Sequence, residues 1–318
     1  MFVCRSRSSP PITPMRRVVR GFSQEIVSGD ADSAPVNRTT HMYCYAAALR
    51  RELNECNRRY ATENWLSHEL SYGRMPSIVY PPDEENRHGN FLSESYYAIC
   101  ADPNWSRRLS KVHTTARTSL PKVDRRWREL DCATSSDALL MNIFCYPESV
   151  ANRKVLALLG VDEDEKAIFG YKPRIPLKTG RFDQTEVDMK LGDLLVEAKL
   201  TEADFQKCAF SYMERYRNFR DVFDEDLLPS SSGWLVSCQL LRNVLAAYGE
   251  GRSFCVFCDH RRPDLIEAWY DIIRAVKPME LRCRLKLLTW QELTTVLPVA
   301  LQRFLADKYG IGQCLEPH

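Results

Sequence analysis

The sequence predicts a mixed α/β fold, because helical and strand-like segments follow one another along the second half of the chain. A helix with capping residues comes first, three short strand-like runs follow, and two helical stretches precede an apolar run typical of a buried strand. These segments lie near residues 135–146, 167–171, 186–191, 194–200, 203–220, 234–248 and 253–259. This order of helix, three strands, helices and strand indicates the core of a mixed α/β domain.

Elements on either side of this core complete the prediction. Pro263 suits the first turn of a helix whose apolar residues repeat at helical spacing. A late strand is expected within residues 281–290, and a closing helix within residues 290–309. On the N-terminal side, residues 43–60 are rich in helix formers and residues 73–90 are typical of a loop.

Three regions are therefore expected. Residues 1–41 are rich in Ser, Pro, Arg and Thr without hydrophobic periodicity, which predicts a disordered basic tail. Its first 24 residues contain five arginines and no acidic residue, a composition that is also typical of an organelle transit peptide. A further alternative is that the protein starts at Met42. Residues 42–130 would form a mostly helical accessory region, and residues 131–318 the core domain.

Composition places the chain among ordinary globular proteins, with 44% hydrophobic residues and a net charge of +2. Charges interrupt every hydrophobic run, so no membrane partner is expected. The twelve cysteines are scattered through apparent helices and strands, which predicts free core thiols and a cytoplasmic location. Cys255 and Cys258 form a C-x-x-C pattern, but inside an apolar run that is more typical of a strand than of a metal site.

A basic stretch lies between Asn104 and Arg128, where eight basic residues stand against one acid and give a local charge of +7. Tryptophans stand near both ends, at Trp105 and Trp127. Such a segment suits a polyanion, because phosphates attract Lys and Arg, although a solvated surface would have the same composition. The candidate substrate-binding residues are Arg107, Arg108, Lys111, Arg125 and Arg126.

The segment "TEVDMKLGDLLVEAKLTE", residues 185–202, predicts a β-hairpin around the two-residue turn Gly192-Asp193. This turn pairs Leu191 with Leu194 and, further out, Asp188 with Glu197. One face then carries Val187, Met189, Leu191, Leu194, Val196 and Ala198, and the other carries Glu186, Asp188, Lys190, Leu195, Glu197 and Lys199. The first face is wholly apolar and suits a core.

On the second face, the carboxylates of Asp188 and Glu197 would meet across the strands. Like charges at this spacing destabilise a sheet, so a compensating cation is expected. Mg²⁺ is one candidate, because it prefers hard oxygen ligands. The flanking Lys190 and Lys199 are the alternative, in an ordinary surface ion-pair ladder.

The same hairpin resembles the active site of the PD-(D/E)XK nuclease superfamily, a restriction-endonuclease-like group. Asp188 matches the isolated Asp of that motif, Glu197 its acidic position and Lys199 its lysine, although Val187 stands where the family name has Pro. The resemblance covers about residues 132–288 and implies a restriction-endonuclease-like core of one helix, a three-strand meander, a helix and a further strand. It also implies an Mg²⁺ site, with Mn²⁺ as a substitute, formed by Asp188, Glu197 and the backbone carbonyl of Ala198.

What the resemblance implies is a metal-dependent phosphodiesterase acting on nucleic acid, with DNA the expected substrate, by endo- or exonucleolytic cleavage. The alternative is a nucleic-acid-binding protein of this fold without cleavage. Gln239 matches a helix position used in some branches, and a plain polar surface residue is the alternative. Glu186 would hold Lys199 or face solvent. Asp137 stands where some members carry an acid, but an ordinary helix-start role is expected for it.

Overall fold

A five-stranded mixed sheet with helices on both faces lies at the centre of the structure, a computed structural model that describes residues 38–73, 75–81, 87–112, 122–162 and 165–312. The α-helices are α1 (Arg38–Glu63), α2 (Ser93–Ala101), α3 (Pro103–Ser106), α4 (Ser136–Phe144), α5 (Arg153–Leu159), α6 (Phe210–Glu214), α7 (Phe219–Val222), α8 (Cys238–Glu250), α9 (Pro263–Ala275), α10 (Met279–Arg282), α11 (Trp290–Thr294) and α12 (Val299–Tyr309). The predicted mixed α/β class is confirmed.

The strands are β1 (Glu69–Leu70), β2 (Ile78–Val79), β3 (Ile168–Tyr171), β4 (Ile175–Pro176), β5 (Phe182–Asp183), β6 (Val187–Leu191), β7 (Leu194–Ala198), β8 (Lys207–Ala209), β9 (Ser230–Ser231), β10 (Trp234–Val236), β11 (Ser253–Cys258) and β12 (Leu285–Thr289). The central sheet has the order β12-β11-β7-β6-β3. In it β7, β11 and β12 are parallel, whereas β6 is antiparallel to both β7 and β3. The parallel pair β7–β11 needs a crossover connection, which contains α8.

The β6–β7 hairpin has the predicted register at its turn. Leu191 pairs with Leu194, and the ladder continues outwards to Met189 and Val196. Gly192 adopts a φ of +53°, a left-handed conformation that glycine tolerates in a two-residue turn. The regular ladder ends at the pair Met189–Val196, so Asp188 and Glu197 lie beyond it. This end of the hairpin is where the charged side chains gather.

Apolar side chains cover both faces of the central sheet. Met189, Leu191 and Val196 pack on one face with residues of α1, α4, α5, α11 and α12. Leu195 packs on the other face with residues of α6 to α9, and so does Val187, which was predicted to share the first face. The partners in β3 divide in the same way, since Phe169, opposite Met189, packs on the cluster of the first face and Tyr171, opposite Val187, packs on that of the second; Gly170 between them has a left-handed φ of +66°.

Four element predictions need correction. The helix expected at 203–220 is strand β8 followed by the short helices α6 and α7. The helix expected from Trp234 begins only at Cys238, because Trp234–Val236 pair as a strand with β8 and Ser237 adopts a positive φ of 61°. The loop predicted at 73–90 contains β2, and the closing helix is interrupted before Pro298, which N-caps α12.

The cysteine prediction is wrong for one pair. Cys208 of β8 and Cys238 at the start of α8 form a disulfide, because β8–β10 pairing brings these elements together with the Cα atoms 6.0 Å apart. Cys255 and Cys258 are free and buried on opposite faces of β11, as expected for core thiols rather than a metal site.

The N-terminal region packs directly on the core, since Leu49 and Leu53 of α1 contribute to the same apolar cluster as α12. The domain boundary at residue 130 stays a prediction. The predicted tail lies outside the described residues except for residues 38–41, which belong to α1. No helix in the described ranges is long and apolar enough to cross a membrane.

Candidate active site

The carboxylate of Glu197 lies at the end of β7 and is held by three side chains. Its Oε1 accepts hydrogen bonds from the Lys199 ammonium, at 2.8 Å, and from the amide of Gln239. Its Oε2 accepts one from Asn243, at 2.8 Å. Gln239 and Asn243 lie four residues apart and therefore on one face of α8. Glu197 is 1% exposed, so this arrangement compensates a buried charge.

Lys199 extends the same cluster. Its ammonium donates to the side-chain oxygen of Gln239 at 2.9 Å, and its backbone carbonyl accepts from the indole of Trp290 at 2.9 Å. Burial alone would lower the pKa of Lys199, but the neighbouring charges of Glu197, Glu202 and Asp188 outweigh it and raise that pKa. Lys199 is therefore a cation at neutral pH.

Asp188 stands next to this cluster on β6. Its Oδ2 accepts the backbone N–H of Ala198 at 2.7 Å, a donor that would otherwise serve the strand ladder. Loss of solvent, followed by repulsion from Glu197 and Asp137, raises the pKa of Asp188 well above its usual value. Asp188 forms no salt bridge within the described part of the chain, so its charge is the least compensated in the cluster.

The backbone carbonyl of Ala198 points to the same side as Asp188. The N–H of Lys199 bonds to Phe257 of β11, at 2.7 Å, so the peptide groups of Ala198 face the opposite neighbour, β6. The Ala198 N–H reaches Asp188 in that direction, and in an extended strand the carbonyl of a residue follows its N–H. The three predicted metal-ligand positions thus share one end of the β6–β7 hairpin.

A second cluster adjoins Asp188 at the start of α4. Arg108 donates to Asp137 at 2.9 Å and to Glu186 at 2.7 Å, and Lys111 contacts the same Asp137 oxygen. Burial would raise the pKa of Asp137, but Lys111 and then Arg108 lower it. Ser135 caps α4 and Asp137 lies in its first turn, so the helix-start position predicted for Asp137 is confirmed, and its carboxylate also binds the two cations of the cluster. Glu186 pairs with Arg108 rather than with Lys199, and its side chain is 34% exposed, so it partly faces solvent.

The predicted substrate-binding residues separate into two groups. Arg108 and Lys111 lie inside the acidic cluster, where each is largely buried. Arg107 and Arg125 are exposed on the surface, and Arg126 lies over the Trp127 ring, 4.3 Å from its centroid, while contacting Glu69.

The loop after Lys199 is fixed by buried contacts. The guanidinium of Arg262 donates to the backbone carbonyls of Leu200 and Glu202, at 3.1 Å and 2.8 Å. The Glu202 carboxylate accepts the hydroxyl of Ser136 and the N–H of Leu200, both at 2.6 Å. This loop therefore joins the end of β7 to the start of α4 and keeps the two acidic clusters side by side.

Comparison with known families fits this arrangement. A family model for "Restriction Endonuclease associating with ARP" matches residues 59–310, most of the chain. The chain belongs to this family. Comparisons with curated proteins and with solved structures gave no match. The matched range includes the β6–β7 hairpin, α4 and α8, and with them every residue of the two acidic clusters.

Two residues that shape the two acidic clusters were not predicted from the sequence. Asn243 had a usable signal, because it lies one helical turn after Gln239 on the polar edge of an apolar helix. Gly170 had none, because its need follows from tertiary packing: a Cβ there would lie 2.2 Å from Arg108 Nη1.

Proposed function

We propose that this protein is a metal-dependent nuclease that hydrolyses phosphodiester bonds in DNA. The observation that carries the proposal is the grouping of Asp188, Glu197 and Lys199 at one end of the β6–β7 hairpin, in a chain of a restriction-endonuclease-like family. The order α4, β3, β6, β7, α8 and β11 matches the helix, meander, helix and strand of the PD-(D/E)XK core and adds support.

The residues fit a hard divalent cation. Asp188 is an under-compensated carboxylate beside Glu197, and the Ala198 carbonyl adds a third oxygen, a donor set that suits Mg²⁺ or Mn²⁺. These three groups would hold the ion. Bound there, a divalent ion would polarise the phosphate and lower the pKa of a coordinated water.

The side chains around these oxygens supply the rest of the chemistry. Lys199, held protonated between Glu197 and Gln239, would offset the negative charge that grows on the phosphate, a role that its raised pKa favours over that of a base. Gln239 and Asn243 keep Glu197 turned toward Lys199 and Asp188. Asp188 would accept the hydrogen bond of the attacking water.

A second candidate function is nucleic-acid binding without cleavage. Two observations favour it. Both oxygens of Glu197 already have protein donors, and no group of three or more His, Cys, Asp or Glu side chains suited to a metal ion occurs in the ranges that the structure describes. Under this alternative the basic residues bind phosphates, and the acidic cluster has only a structural role.

Cleavage assays separate the two functions. Purified protein is incubated with supercoiled plasmid, linear duplex, single-stranded DNA and RNA, each with Mg²⁺, Mn²⁺ or EDTA. We expect cleavage with either metal and none with EDTA, and a loss of about 100-fold or more in Asp188→Asn and Lys199→Met. The matched controls are Asp193→Asn, on the exposed turn of the same hairpin, and Lys154→Met, on the surface of α5.

Each outcome has one meaning. Cleavage that survives EDTA, or that persists in Asp188→Asn, would exclude the proposed metal site. Salt-sensitive DNA binding without any cleavage would support the second candidate. Cleavage of plasmid and linear duplex but not of single-stranded DNA or RNA would identify duplex DNA as the substrate.

A further inference from the structure

Two cations enter the acidic site from outside the core sheet. Arg108 and Lys111 belong to the 3-10 turn at Arg107–Ser110 and the residue after it, and their side chains are 13% and 20% exposed. Arg108 bridges Asp137 and Glu186, at 2.9 Å and 2.7 Å. Arginine is rarely buried unless it is paired, so the two carboxylates account for the burial of the Arg108 side chain.

The fold provides a specific space for Arg108. Gly170 of β3 adopts a left-handed φ of +66°, and a Cβ at this position would lie 2.2 Å from Arg108 Nη1 and 2.9 Å from Glu186 Cδ. Any other residue would therefore displace the Arg108 guanidinium or the Glu186 carboxylate from this position. The guanidinium occupies the volume that a side chain in β3 would fill.

The segment that carries Arg108 is anchored to the same strand. The indole of Trp105 donates to the carbonyl of Ala167, just before β3, at 2.8 Å. Asp102 caps α3 through the N–H groups of Asn104 and Trp105 and pairs with Lys166. Because two anchors precede Arg108, its entry into the site is part of the fold.

Arg108 and Lys111 pair with other carboxylates than Asp188, which has the least compensated charge. Arg108 and Lys111 sit on Asp137 and Glu186, whereas Asp188 makes no salt bridge in the described residues. Both cations nonetheless interact electrostatically with Asp188, whose charge raises the pKa of each. A divalent cation held by Asp188 and Glu197 would repel Arg108 and Lys111, and an incoming phosphate would attract them.

We infer that Arg108 and Lys111 are exchangeable counter-cations, which neutralise Asp137 and Glu186 in the free protein and transfer to the substrate phosphate when Asp188 and Glu197 take up a divalent ion. The inference rests on the proposed function. Metal and nucleic acid then bind cooperatively, because each favours the arrangement that the other needs. Thermodynamic linkage requires the same coupling factor in both directions.

Calorimetry of Mn²⁺ binding tests the inference without measuring turnover. The full chain is titrated with Mn²⁺ alone and with a saturating phosphorothioate single-stranded DNA of 12 nucleotides. We expect the DNA to tighten Mn²⁺ binding by about fivefold or more. In Arg108→Gln, Mn²⁺ alone should bind about threefold or more tightly than to the wild type, and the coupling to DNA should fall to less than about half.

The control variants distinguish the proposed exchange of cations from a general effect of lost positive charge and from misfolding. Arg153→Gln removes an exposed positive charge from α5 and should behave as the wild type. Arg108→Lys keeps the charge and should retain part of the coupling. If Arg108→Gln does not fold, Lys111→Met replaces it, because Arg108 then still covers Asp137.

Four results bear on the inference. Unchanged or weaker Mn²⁺ binding in a folded Arg108→Gln protein would overturn it, as would equal coupling in the variant and the wild type. If neither protein binds Mn²⁺, the inference and the metal site of the proposed function both fail. Mn²⁺ binding with the expected coupling but no cleavage of any substrate would support the inference and overturn only the nuclease proposal.

Discussion

Lys308, at the C-terminal end of α12, is a buried lysine without a carboxylate partner in the described residues. Its ammonium lies 3.8 Å from the centroid of the Tyr80 ring and 4.9 Å from that of Tyr60, and donates to the carbonyl of Gly89 at 3.1 Å. Tyr309 is the third ring that faces it. Burial lowers the pKa of Lys308 well below its usual value, since aromatic faces compensate a charge only in part.

This lysine makes stability depend on pH in a defined direction. In the unfolded chain Lys308 keeps its proton up to a pH of about 10.4, whereas in the folded chain it loses the proton at a lower pH. Between these two pKa values the unfolded chain binds more protons, so stability is lost as the pH falls from about 10.4 through the folded pKa. We expect the wild type to gain stability relative to Lys308→Met between pH 7 and 9.5, by up to about 1.4 kcal/mol per pH unit. Urea unfolding of both proteins at several pH values measures this.

The chosen pH range excludes titration of the tyrosines that face Lys308. Below pH 9.5 the three facing tyrosines stay protonated, because burial raises the pKa of Tyr60 to about 12 and also raises those of Tyr80 and Tyr309. Lys154→Met, an exposed lysine on α5, should follow the wild type at every pH. Parallel pH profiles for Lys308→Met and the wild type would show that Lys308 stays charged in the fold.

Single residues differ in how far the sequence predicts them. Asp188, Glu197 and Lys199 were predicted as a group because strand alternation and a two-residue turn fix their faces locally. Asp137 and Arg108 meet across 29 positions of sequence, through a contact that no local pattern contains. The pairing of Glu186 with Arg108 instead of Lys199 has the same cause, since Gly170 opens the necessary space.

Among the elements, α8 combines a structural tie with a role in the site. Cys238 at its first position is bonded to Cys208 of β8, and the next residue, Gln239, reaches Glu197 and Lys199. The N–H groups of Cys238 and Gln239 also bond to the carbonyls of Gln206 and Phe205. The start of this helix is therefore fixed to the β8 segment by both covalent and hydrogen bonds.

Reduction of this disulfide should lower stability. The cysteines are 30 positions apart in sequence, and closing a loop of this size restricts the unfolded chain by about 3–4 kcal/mol. We expect the free energy of unfolding in urea to fall by about this amount when a reductant is added. Cys208→Ser/Cys238→Ser should show the lower value and no response to reductant, whereas Cys100→Ser should respond as the wild type does. Identical wild-type values with and without reductant would contradict a stabilising disulfide.

Elements with strong periodicity were predicted well, and those set by tertiary pairing were not. The apolar repeat after Pro263 gives α9, and the apolar run at 253–258 gives β11. Residues 207–209 and 234–236 instead form strands because they pair with each other, although their surroundings favour helix. The register of the β6–β7 hairpin is correct up to Met189 and Val196, where the Asp188 carboxylate takes the N–H of Ala198.

At the scale of the whole molecule, positive charge is unevenly distributed. The net charge is +2, yet the stretch from Asn104 to Arg128 carries eight basic residues and one acid. Its two described parts are joined by a bridge between Val112 and Arg128 and by the N–H of Glu129, which donates to the carbonyl of Lys111. The exposed turn Lys122–Arg126 is thus connected through the backbone to the cation that contacts Asp137.

This connection predicts that the exposed turn binds the nucleic-acid backbone outside the acidic site. Arg125→Glu/Arg126→Glu should weaken binding of a labelled DNA duplex to non-cleaving Asp188→Asn protein in EDTA, and should reduce the slope of log affinity against log salt by about 1 per lost phosphate contact. Arg153→Glu/Lys154→Glu applies the same charge change on α5 and should leave the slope unchanged. Because phosphate contacts carry no base information, affinity should fall equally for unrelated sequences. An unaltered slope in the Arg125/Arg126 variant would assign this turn to the solvated surface and leave Arg108 and Lys111 as the cations that meet the substrate.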